Sequence, residues 1–309
     1  MKNLISCETL EKEDIRRILS LATHYHEHVK SGRTLDIRRG HFIVNLFFEP
    51  STRTVTSFDI ATKRLGADSI QFSPSTSSTV KGETLLDTAK NIQAMNPSLL
   101  IIRHSSSGIP EFLGRTLQIP LINAGDGFHE HPTQALLDLF TITQFKKKLD
   151  QIRVLIVGDI AHSRVARSNV HLLKKMGVQV TLCGPPTLLP PDPEQFGVEV
   201  TSDLTKALPR ADVVMMLRIQ FERQNKMQIP SPGEYARFWG LHARTAKFLK
   251  NDAIIMHPGP LQRGVEISPE IADGPNSVIL NQVGNGIAVR MAAITLLTPG
   301  PMPSDWKFH

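Results

Sequence analysis

The sequence predicts an α/β protein with two domains, each of which is a parallel β-sheet flanked by helices. The chain has 309 residues, which exceeds the roughly 250–300 residues at which a single hydrophobic core stops growing. Short apolar runs alternate with longer amphipathic stretches over most of the chain, as is typical of strands connected by helices. This alternation occurs in two successive series, and a long predicted helix over Pro132–Lys146 joins them.

The first series opens with a helix over residues 9–30. Ile15, Ile18 and Ala22 follow the spacing of one buried helix face. A second helix begins after Ser51, a residue type that caps helix starts. The other elements of this series are strands over Phe42–Phe48, Ser69–Phe72, Leu99–Arg103 and Pro120–Asn123, and helices over Glu83–Met95 and Pro110–Leu117.

The second series follows the same pattern, and a final helix over Gln282–Leu297 is predicted to return to the first domain. We therefore expect a first domain over residues 1–131 and a second over residues 132–281. Three prolines after Thr298 predict an extended, partly mobile tail over residues 298–309. The elements of the second series are strands over Arg153–Val157, Gln179–Cys183, Val213–Leu217 and Ala253–Met256, and a helix over Arg164–Met176.

Composition argues against several classes of function. The formal net charge is +6, but aromatic residues make up only 6% of the chain and the basic residues are spread out, unlike a surface that stacks bases. The chain has no apolar run of about 18 residues, as a membrane span requires, and no apolar signal peptide. The two cysteines, Cys7 and Cys183, would allow one disulfide, but so few favour a reduced chain. We expect a cytoplasmic enzyme that binds neither nucleic acid nor membrane.

The first candidate site is the segment where the predicted strand over Phe42–Phe48 ends and a helix begins. Backbone N–H groups at a helix start, together with the helix dipole, bind anions. The segment fits a phosphate group, although a plain helix cap with a solvated arginine would have a similar sequence. Its further donors are three hydroxyls and a guanidinium, those of Ser51, Thr52, Thr54 and Arg53.

Polar side chains also follow the other predicted strands, where open α/β sheets bind their ligands. His131 and Gln134 are three residues apart and can share a helix face. These segments carry several cationic side chains, and the sequence has no nucleotide-binding motif and no catalytic nucleophile motif. The combination indicates a small, multiply anionic substrate and catalysis by positioning and charge stabilisation. The segments are Arg103–His104, the glycine turn Asn123–Gly127 followed by His131–Gln134, Gly158–Arg164, Leu217–Gln220 and His257–Pro260.

A metal site is not expected. His129 and His131 are close in sequence, but no cysteine or carboxylate cluster at ligand spacing accompanies them. The histidines of the opening helix are interpreted as surface residues; they are His24, His26 and His28. The polar stretch from Ile219 to Gly233 is long enough for a lid or binding loop, although an ordinary surface loop would look the same.

These motifs, in this order, resemble the catalytic chains of the aspartate carbamoyltransferase family over nearly the whole length. The resemblance implies two parallel α/β domains with the active site in the cleft between them, and no metal or organic cofactor. It also implies a homotrimer in which Ser77 and Lys81 reach the neighbouring subunit's site. It rests on Ser51–Thr54, on Ser77–Thr84 with its Lys81-Gly82-Glu83, and on Gly125–Gly127 followed by His131–Gln134.

The resemblance implies transfer of a carbamoyl group from carbamoyl phosphate to L-aspartate, the committed step of pyrimidine biosynthesis, and a role for each matching residue. Ser77 and Lys81 would join the site from the adjacent chain. The phosphate would be bound by Ser51, Thr52, Arg53 and Thr54, and the carbonyl oxygen by Thr54, Arg103 and His131. The amide group would be held by Gln134 and the carbonyls near Pro258 and Gly259. The carboxylates of aspartate would be bound by Arg164, Arg218 and Gln220.

The chain departs from the family pattern at two positions. Val55 stands where arginine is usual, and Glu130 stands where glutamine is frequent. The segment 258–267 resembles family members that lack a separate regulatory chain, some of which associate with dihydroorotase. That partner is a hypothesis.

Two alternatives stay open. An ornithine carbamoyltransferase would share the carbamoyl phosphate residues, but that family usually has cysteine where this chain has Thr133 and Gly259. A non-catalytic homologue that serves as an assembly subunit is favoured only by Val55. The presence of Arg53 and Arg103 argues against it.

Overall fold

Two parallel β-sheets organise the chain, one in each of two compact units. The computed structural model describes residues 1–72, 83–219 and 231–308. The first unit comprises residues 1–140 and 284–309, and the second comprises residues 141–283. The predicted fold class, two parallel sheets flanked by helices, is confirmed. The predicted domain limits at residues 131 and 281 stay a prediction.

The sheet of the first unit has four strands in the order β2-β1-β3-β4. Strands β1, β3 and β4 are almost entirely buried, whereas the edge strand β2 is largely exposed. The near-continuous apolar runs therefore mark the strands that helices cover on both faces. The strands are β1 (Phe42–Phe47), β2 (Asp68–Phe72), β3 (Leu99–His104) and β4 (Leu121–Asp126).

Helices follow the strands of the first unit. The second helix, for example, buries Phe58 and Ala61 on one face. Between one face of the sheet and its helices lies a core that includes Leu46, Leu100 and Leu113. The helices are α1 (Lys12–Lys30), α2 (Thr52–Arg64), α3 (Leu85–Ala94), α4 (Ile109–Thr116) and α5 (Pro132–Phe145), with α11 (Ile279–Leu297) near the end of the chain.

The sheet of the second unit has five strands in the order β7-β6-β5-β8-β9. Its core includes Leu155, Val214 and Ile255 from three neighbouring strands. The strands are β5 (Arg153–Val157), β6 (Gln179–Cys183), β7 (Glu199–Thr201), β8 (Val213–Met216) and β9 (Ile254–Met256), and the helices are α6 (Arg164–Lys175), α7 (Leu204–Ala207), α8 (Pro232–Trp239), α9 (Ala243–Ala246) and α10 (Pro269–Ala272).

Several element limits differ from the predicted ones. The glycine turn predicted from residue 123 is wrong, because β4 continues through Gly125 to Asp126. Strand β7 was not predicted, because three residues are too few for a recognisable alternation. The polar stretch after Ile219 ends earlier than predicted, since α8 begins at Pro232; residues 220–230 lie outside the described part of the chain.

The interpretation of the α1 histidines as surface residues is also wrong in part. His24, His26 and His28 are all half-buried on α1. The ring of His26 makes an edge contact with the ring of Phe140 at 5.8 Å between centroids. His24 and His28 are four residues apart and share one side of the helix, whereas His26 points in another direction and meets a different neighbour.

Arg38 joins the start of the first unit to its end. The residue is 1% exposed. Its Nη1 donates to the carbonyl of Pro301 at 2.7 Å and its Nη2 to that of Thr295 at 2.8 Å, while Nε donates to the Thr298 hydroxyl at 2.8 Å. The residues after α11 are thus held by hydrogen bonds to a buried cation, in addition to the restriction that their prolines impose.

Across residues 1–72, 83–219 and 231–308, no helix combines the length and the apolar character needed to cross a lipid bilayer.

Candidate functional site

The residues of the first unit that are predicted to bind carbamoyl phosphate follow three neighbouring strands. Strand β1 pairs in parallel with β3, and β3 pairs in parallel with β4. Their carboxyl ends therefore lie side by side at one edge of the sheet. Ser51–Thr54 follow β1, Arg103 lies near the end of β3, and His131 follows β4. The fold thus brings together residues that the sequence places far apart.

The segment after β1 leads into helix α2, with Ser51 at the N-cap position. Among the described residues, the Ser51 side chain makes no capping bond to the helix; its hydroxyl donates instead to Thr54 Oγ1 at 2.9 Å. Ser51 is therefore at the predicted N-cap position, but its hydroxyl contacts the side chain of Thr54 and not a backbone N–H of the helix. Arg53 is exposed, and the first turn of α2 carries no acidic residue. These features suit an anion at the helix start.

Arg103 is held rigidly before any substrate binds. Its backbone carbonyl accepts from Phe48 N–H at 2.9 Å, which fixes the segment after β1 against β3. Its Nη1 donates to the Ala124 carbonyl at 3.2 Å, and its Nη2 lies 3.2 Å from a carboxylate oxygen of Glu49. The side chain of Arg103 is 10% exposed and that of Glu49 15%. A charge-assisted bond of this kind orients a guanidinium at low entropic cost.

The loop between β4 and α5 is held by the buried carboxylate of Asp126, which is 1% exposed. Its Oδ1 accepts from Asn123 Nδ2 at 2.8 Å and from Glu130 N–H at 3.1 Å. Its Oδ2 accepts from Gly108 N–H at 2.8 Å and lies 3.0 Å from His129 Nδ1. Burial raises the pKa of Asp126, but the hydrogen bonds from His129, Asn123 and Gly108 outweigh it and bring the pKa below its ordinary value.

His131 lies immediately before helix α5, so it does not share a helical face with Gln134 in the way predicted. It is 5% exposed, and its carbonyl accepts from Gln134 N–H at 3.0 Å. The first turn of α5 therefore sets the relative positions of the two side chains. The ring of His129 contacts the carboxylate of Asp126. One of the two histidines considered as metal ligands therefore supports the loop.

Glu130, one of the two departures from the family pattern, binds the N-terminal segment. One carboxylate oxygen accepts from the Ser6 hydroxyl at 2.6 Å, and the other accepts from Cys7 N–H at 2.8 Å. The residue is 1% exposed. Sequence reasoning missed this role because the partners are more than a hundred positions away. Glu130 anchors the residue just before His131, so it contributes to the placement of that imidazole.

Gln134 has a similar buried support. Its Nε2 donates to Asp138 Oδ1 at 2.9 Å. On α11, Arg290 is 4% exposed, donates to the Ser57 hydroxyl at 2.8 Å and lies over the ring of Phe58. Burial lowers the pKa of Arg290 to about 10, against the opposing charge of Asp138. Asp138 therefore links the Gln134 amide to a buried cation.

The predicted residues of the second unit also follow neighbouring strands. Strand β8 pairs in parallel with both β5 and β9. Arg164 begins α6 after β5, Arg218 follows β8, and Pro258 and Gly259 follow β9. Arg164 is 7% exposed and Arg218 is half-buried. These positions again place cations and backbone carbonyls at the carboxyl edge of a sheet, where ligands bind.

A close backbone approach brings the ends of β5 and β8 together. Gly158 has a φ of 143°, and a Cβ on it would meet the Leu217 carbonyl oxygen at 2.9 Å. Leu217 N–H also donates to the Val157 carbonyl at 2.8 Å. Only glycine fits at residue 158, so this position allows the two strand ends to pack closely.

The loop after β9 is held by Glu266, which is 0% exposed. Gly259 N–H donates to His257 Nδ1 at 2.8 Å, so Nδ1 is an acceptor and the proton of the neutral ring is on Nε2. That Nε2 donates to Glu266 Oε1 at 3.1 Å, and Gln262 N–H donates to the same oxygen. The backbone near Pro258 and Gly259 is thus fixed by an imidazole and a carboxylate.

Three predicted site residues lie outside the described part of the chain: Ser77, Lys81 and Gln220. The end of the Ser77–Thr84 motif is described. Thr84 caps α3, and its hydroxyl accepts from Asp87 N–H at 3.2 Å.

Comparison with known proteins gives matches over the whole chain. The family model for the aspartate/ornithine carbamoyltransferase carbamoyl-P binding domain matches residues 2–144, and that for the Asp/Orn binding domain matches residues 150–297. The aspartate carbamoyltransferase catalytic subunit of Syntrophobacter fumaroxidans is 53% identical over 297 residues, covering 96% of this chain and 97% of the relative. The corresponding subunit of Syntrophotalea carbinolica is 52% identical over 305 residues, covering 98% and 97%.

A solved structure is similar as well. Aspartate transcarbamoylase from Trypanosoma cruzi, in complex with carbamoyl phosphate and aspartate, superposes with a TM-score of 0.86 at 30% identity. The match covers 96% of this chain and 96% of that one.

Proposed function

For a chain that belongs to the aspartate carbamoyltransferase family, we propose that the first unit binds carbamoyl phosphate and the second binds the carboxylates of L-aspartate. The reaction converts carbamoyl phosphate and L-aspartate into N-carbamoyl-L-aspartate and phosphate. The observation that carries the assignment is the convergence of Ser51–Thr54, Arg103 and His131 at the ends of three neighbouring strands.

Carbamoyl phosphate is an anion with a polar carbonyl and an amide group. Its phosphate is bound at the start of α2 by the backbone N–H groups and by Ser51, Thr52, Arg53 and Thr54. Its carbonyl oxygen accepts from Thr54, Arg103 and His131. Arg103 suits this role because the Ala124 carbonyl and Glu49 hold its guanidinium in one orientation.

The amide group of carbamoyl phosphate needs acceptors. Gln134 can offer its carbonyl oxygen because its Nε2 is already directed at Asp138. The backbone carbonyls near Pro258 and Gly259 supply the others. In the second unit, Arg164, Arg218 and Gln220 bind the two carboxylates of aspartate, for which guanidinium groups are suited in charge and geometry.

The amine of aspartate, in its deprotonated form, attacks the carbamoyl carbon. A tetrahedral oxyanion forms, and Arg53, Arg103, Thr54 and His131 stabilise its charge. Loss of one such donor typically reduces kcat by about 10²–10³. The departing phosphate accepts the proton of the amine, so the carbon–oxygen bond breaks without a protein base. Ser77 and Lys81 from an adjacent subunit complete the site.

The location, the oligomeric state and the pathway of the protein are proposed from its resemblance to the family. The chain works in the cytoplasm as a homotrimer and takes part in pyrimidine biosynthesis. Association with dihydroorotase is a further proposal. Size-exclusion chromatography of the two co-expressed proteins tests it, and separate peaks would remove it.

The two alternatives raised by the sequence are not favoured by the relatives, which are aspartate carbamoyltransferases. The direct test is product formation by purified protein with carbamoyl phosphate and either L-aspartate or L-ornithine. A ureido product with aspartate alone is expected. A product only with ornithine would reassign the substrate, and no product with either would favour a non-catalytic role.

The division between the units has its own test. Arg218→Ala should raise the KM for aspartate by about 10² or more, because deleting one partner of a charge-assisted pair costs about 2–5 kcal/mol. The Kd for carbamoyl phosphate should be unchanged, since the residue belongs to the aspartate set. Arg210→Ala, which removes an exposed ion pair with Glu199 in the same unit, is the control. Equal losses for both substrates would contradict the assignment.

A further inference from the structure

A cluster of three potential metal ligands lies on helix α1 and the C-terminal segment, among residues to which the proposed reaction assigns no role. His24, His28 and Asp305 each place one ligand atom within 4.8 Å of the others. His24 Nε2 is 3.5 Å from Asp305 Oδ1, and the two imidazole rings have centroids 4.9 Å apart. His24 and His28 are four residues apart on a helix, so both side chains leave the same face.

The position of Asp305 is set by its neighbours. Trp306 Nε1 donates to the Ser20 hydroxyl on α1 at 3.1 Å, and Trp306 N–H donates to the Pro303 carbonyl at 3.1 Å. Ser20 precedes His24 by four residues, so Ser20, His24 and His28 form a row along one side of the helix. The C-terminal segment lies on that row, and its turn presents the Asp305 carboxylate to the two imidazoles.

We propose that His24, His28 and Asp305 bind one divalent transition-metal ion of the Zn²⁺ class, and that this ion fastens the C-terminal segment to α1. Two imidazoles and a carboxylate are ligands that Zn²⁺ accepts, and a fourth position would hold water. Ligand atoms on one tetrahedral Zn²⁺ stand roughly 3.3 Å apart, because each bond is about 2.0–2.1 Å long. The His24–Asp305 separation of 3.5 Å is already close to that spacing.

The helix provides an internal control. His26 lies between the two proposed ligands in sequence, but its ring contacts the ring of Phe140. It has the same side chain, the same helix and a similar degree of burial. A metal site that depends on geometry requires His28 and Asp305 and does not require His26. Binding to surface histidines in general would treat His26 and His28 alike.

The experiment uses the full chain without a histidine tag, titrated with ZnCl₂ in a calorimeter. We expect one ion per chain. His28→Ala and Asp305→Asn should each weaken binding at least about 10-fold, since even outer partners of a metal site affect affinity by about 10–100-fold. His26→Ala should bind as the unaltered chain does. Activity with saturating substrates should be the same in all four proteins, which shows that each variant is folded.

A second measurement separates the proposed fastening from mere binding. Zn²⁺ should change the emission of Trp306, and Trp306→Phe should abolish this change while it retains Trp239. The proposal is overturned if the chain does not bind Zn²⁺, if His28→Ala binds as tightly as the unaltered chain, or if His26→Ala loses as much affinity as His28→Ala. It is also overturned if Zn²⁺ binds without any change at Trp306.

Discussion

In each of the two units, a buried carboxylate holds a loop that carries proposed substrate contacts, but the two carboxylates accept different numbers of hydrogen bonds. In the first unit, both oxygens of Asp126 accept hydrogen bonds, and four groups converge on them. In the second unit, Glu266 accepts from His257 and Gln262 through Oε1 alone. Within the described residues, its Oε2 has no hydrogen-bond partner.

This difference indicates how each loop contributes to the reaction. In the proposed mechanism, the loop after β4 carries the His131 that faces a developing oxyanion, and electrostatic stabilisation depends on donors that are already in place. In the same proposal, the loop after β9 offers backbone carbonyls to an amide group, a weaker and more tolerant contact. We therefore expect the first loop to be the more sensitive of the two to loss of its carboxylate.

The largest effect is expected for Asp126→Ala. The change leaves the donors of Gly108, Asn123 and Glu130 without their acceptor, and each buried donor to a charged group is worth roughly 1.5–3 kcal/mol. The free energy of unfolding should fall by about 3–4 kcal/mol, since larger losses are exceptional. Urea denaturation measures this, and kcat should fall at the same time because His131 is no longer held. A stability loss below that of the Glu266 variant would reverse the comparison.

A smaller loss is expected for Glu266→Leu. One buried imidazole N–H and the Gln262 N–H lose their common acceptor, at a cost of about 1–3 kcal/mol. The KM for carbamoyl phosphate should rise while kcat changes less, because the affected carbonyls are the proposed contacts of the amide group. Glu266→Gln keeps an acceptor oxygen and should restore most of the stability. If Gln rescues neither stability nor KM, the hydrogen bonds are not what holds the loop.

Acid should affect the first loop through Asp126. The folded pKa of this carboxyl lies below its unfolded value of about 3.9, so the ionised form stabilises the fold. This contribution is fully present above about pH 4 and is lost as the pH falls through the folded pKa. The stability difference between the unaltered chain and Asp126→Asn should therefore shrink below about pH 4. A difference that stays constant down to pH 2 would mean that Asp126 is not the group that titrates.

The smallest effect is expected for Val55→Arg, which restores the residue usual in the family. Val55 is half-buried in the first turns of α2, and its N–H donates to the Ser51 carbonyl at 3.0 Å, a bond that the change keeps. The free energy of unfolding should change by less than about 0.5 kcal/mol, as is usual for such positions, and kcat by about twofold or less. A tenfold gain in kcat would show that the phosphate segment is poorly arranged in this chain.

The sequence predicted most strands and the residues at their ends, because buried parallel strands are continuous apolar runs and polar residues follow them abruptly. It did not predict strand β7, which has only three residues. The supporting contacts were also missed. Glu130, Asp138 and Glu266 act on groups brought near by tertiary folding, and no local pattern marks them. The sequence Gly125-Asp126-Gly127 did contain a signal, since an aspartate next to glycines at a strand end is placed to bind loop amides.

The cluster of His24, His28 and Asp305 was missed for a similar reason. The spacing of the two histidines is visible in the sequence, but the third ligand comes from the opposite end of the chain. Only the fold brings that carboxylate to α1. A histidine pair at helical spacing is common on surfaces, so the pair alone gave no ground to expect a metal.

The hydrogen bonds of Arg38 have a consequence for synthesis of the chain. Its acceptors at Thr295, Thr298 and Pro301 are made about 260 residues later, and the second unit is translated in between. During translation, the Arg38 guanidinium therefore cannot make these buried hydrogen bonds until residues 295–301 have left the ribosome. The second unit is uninterrupted in sequence and can fold first. A premature stop near residue 290 would then damage the unit that was synthesised earliest, and pulse proteolysis of nascent chains would show that unit as the last to become resistant.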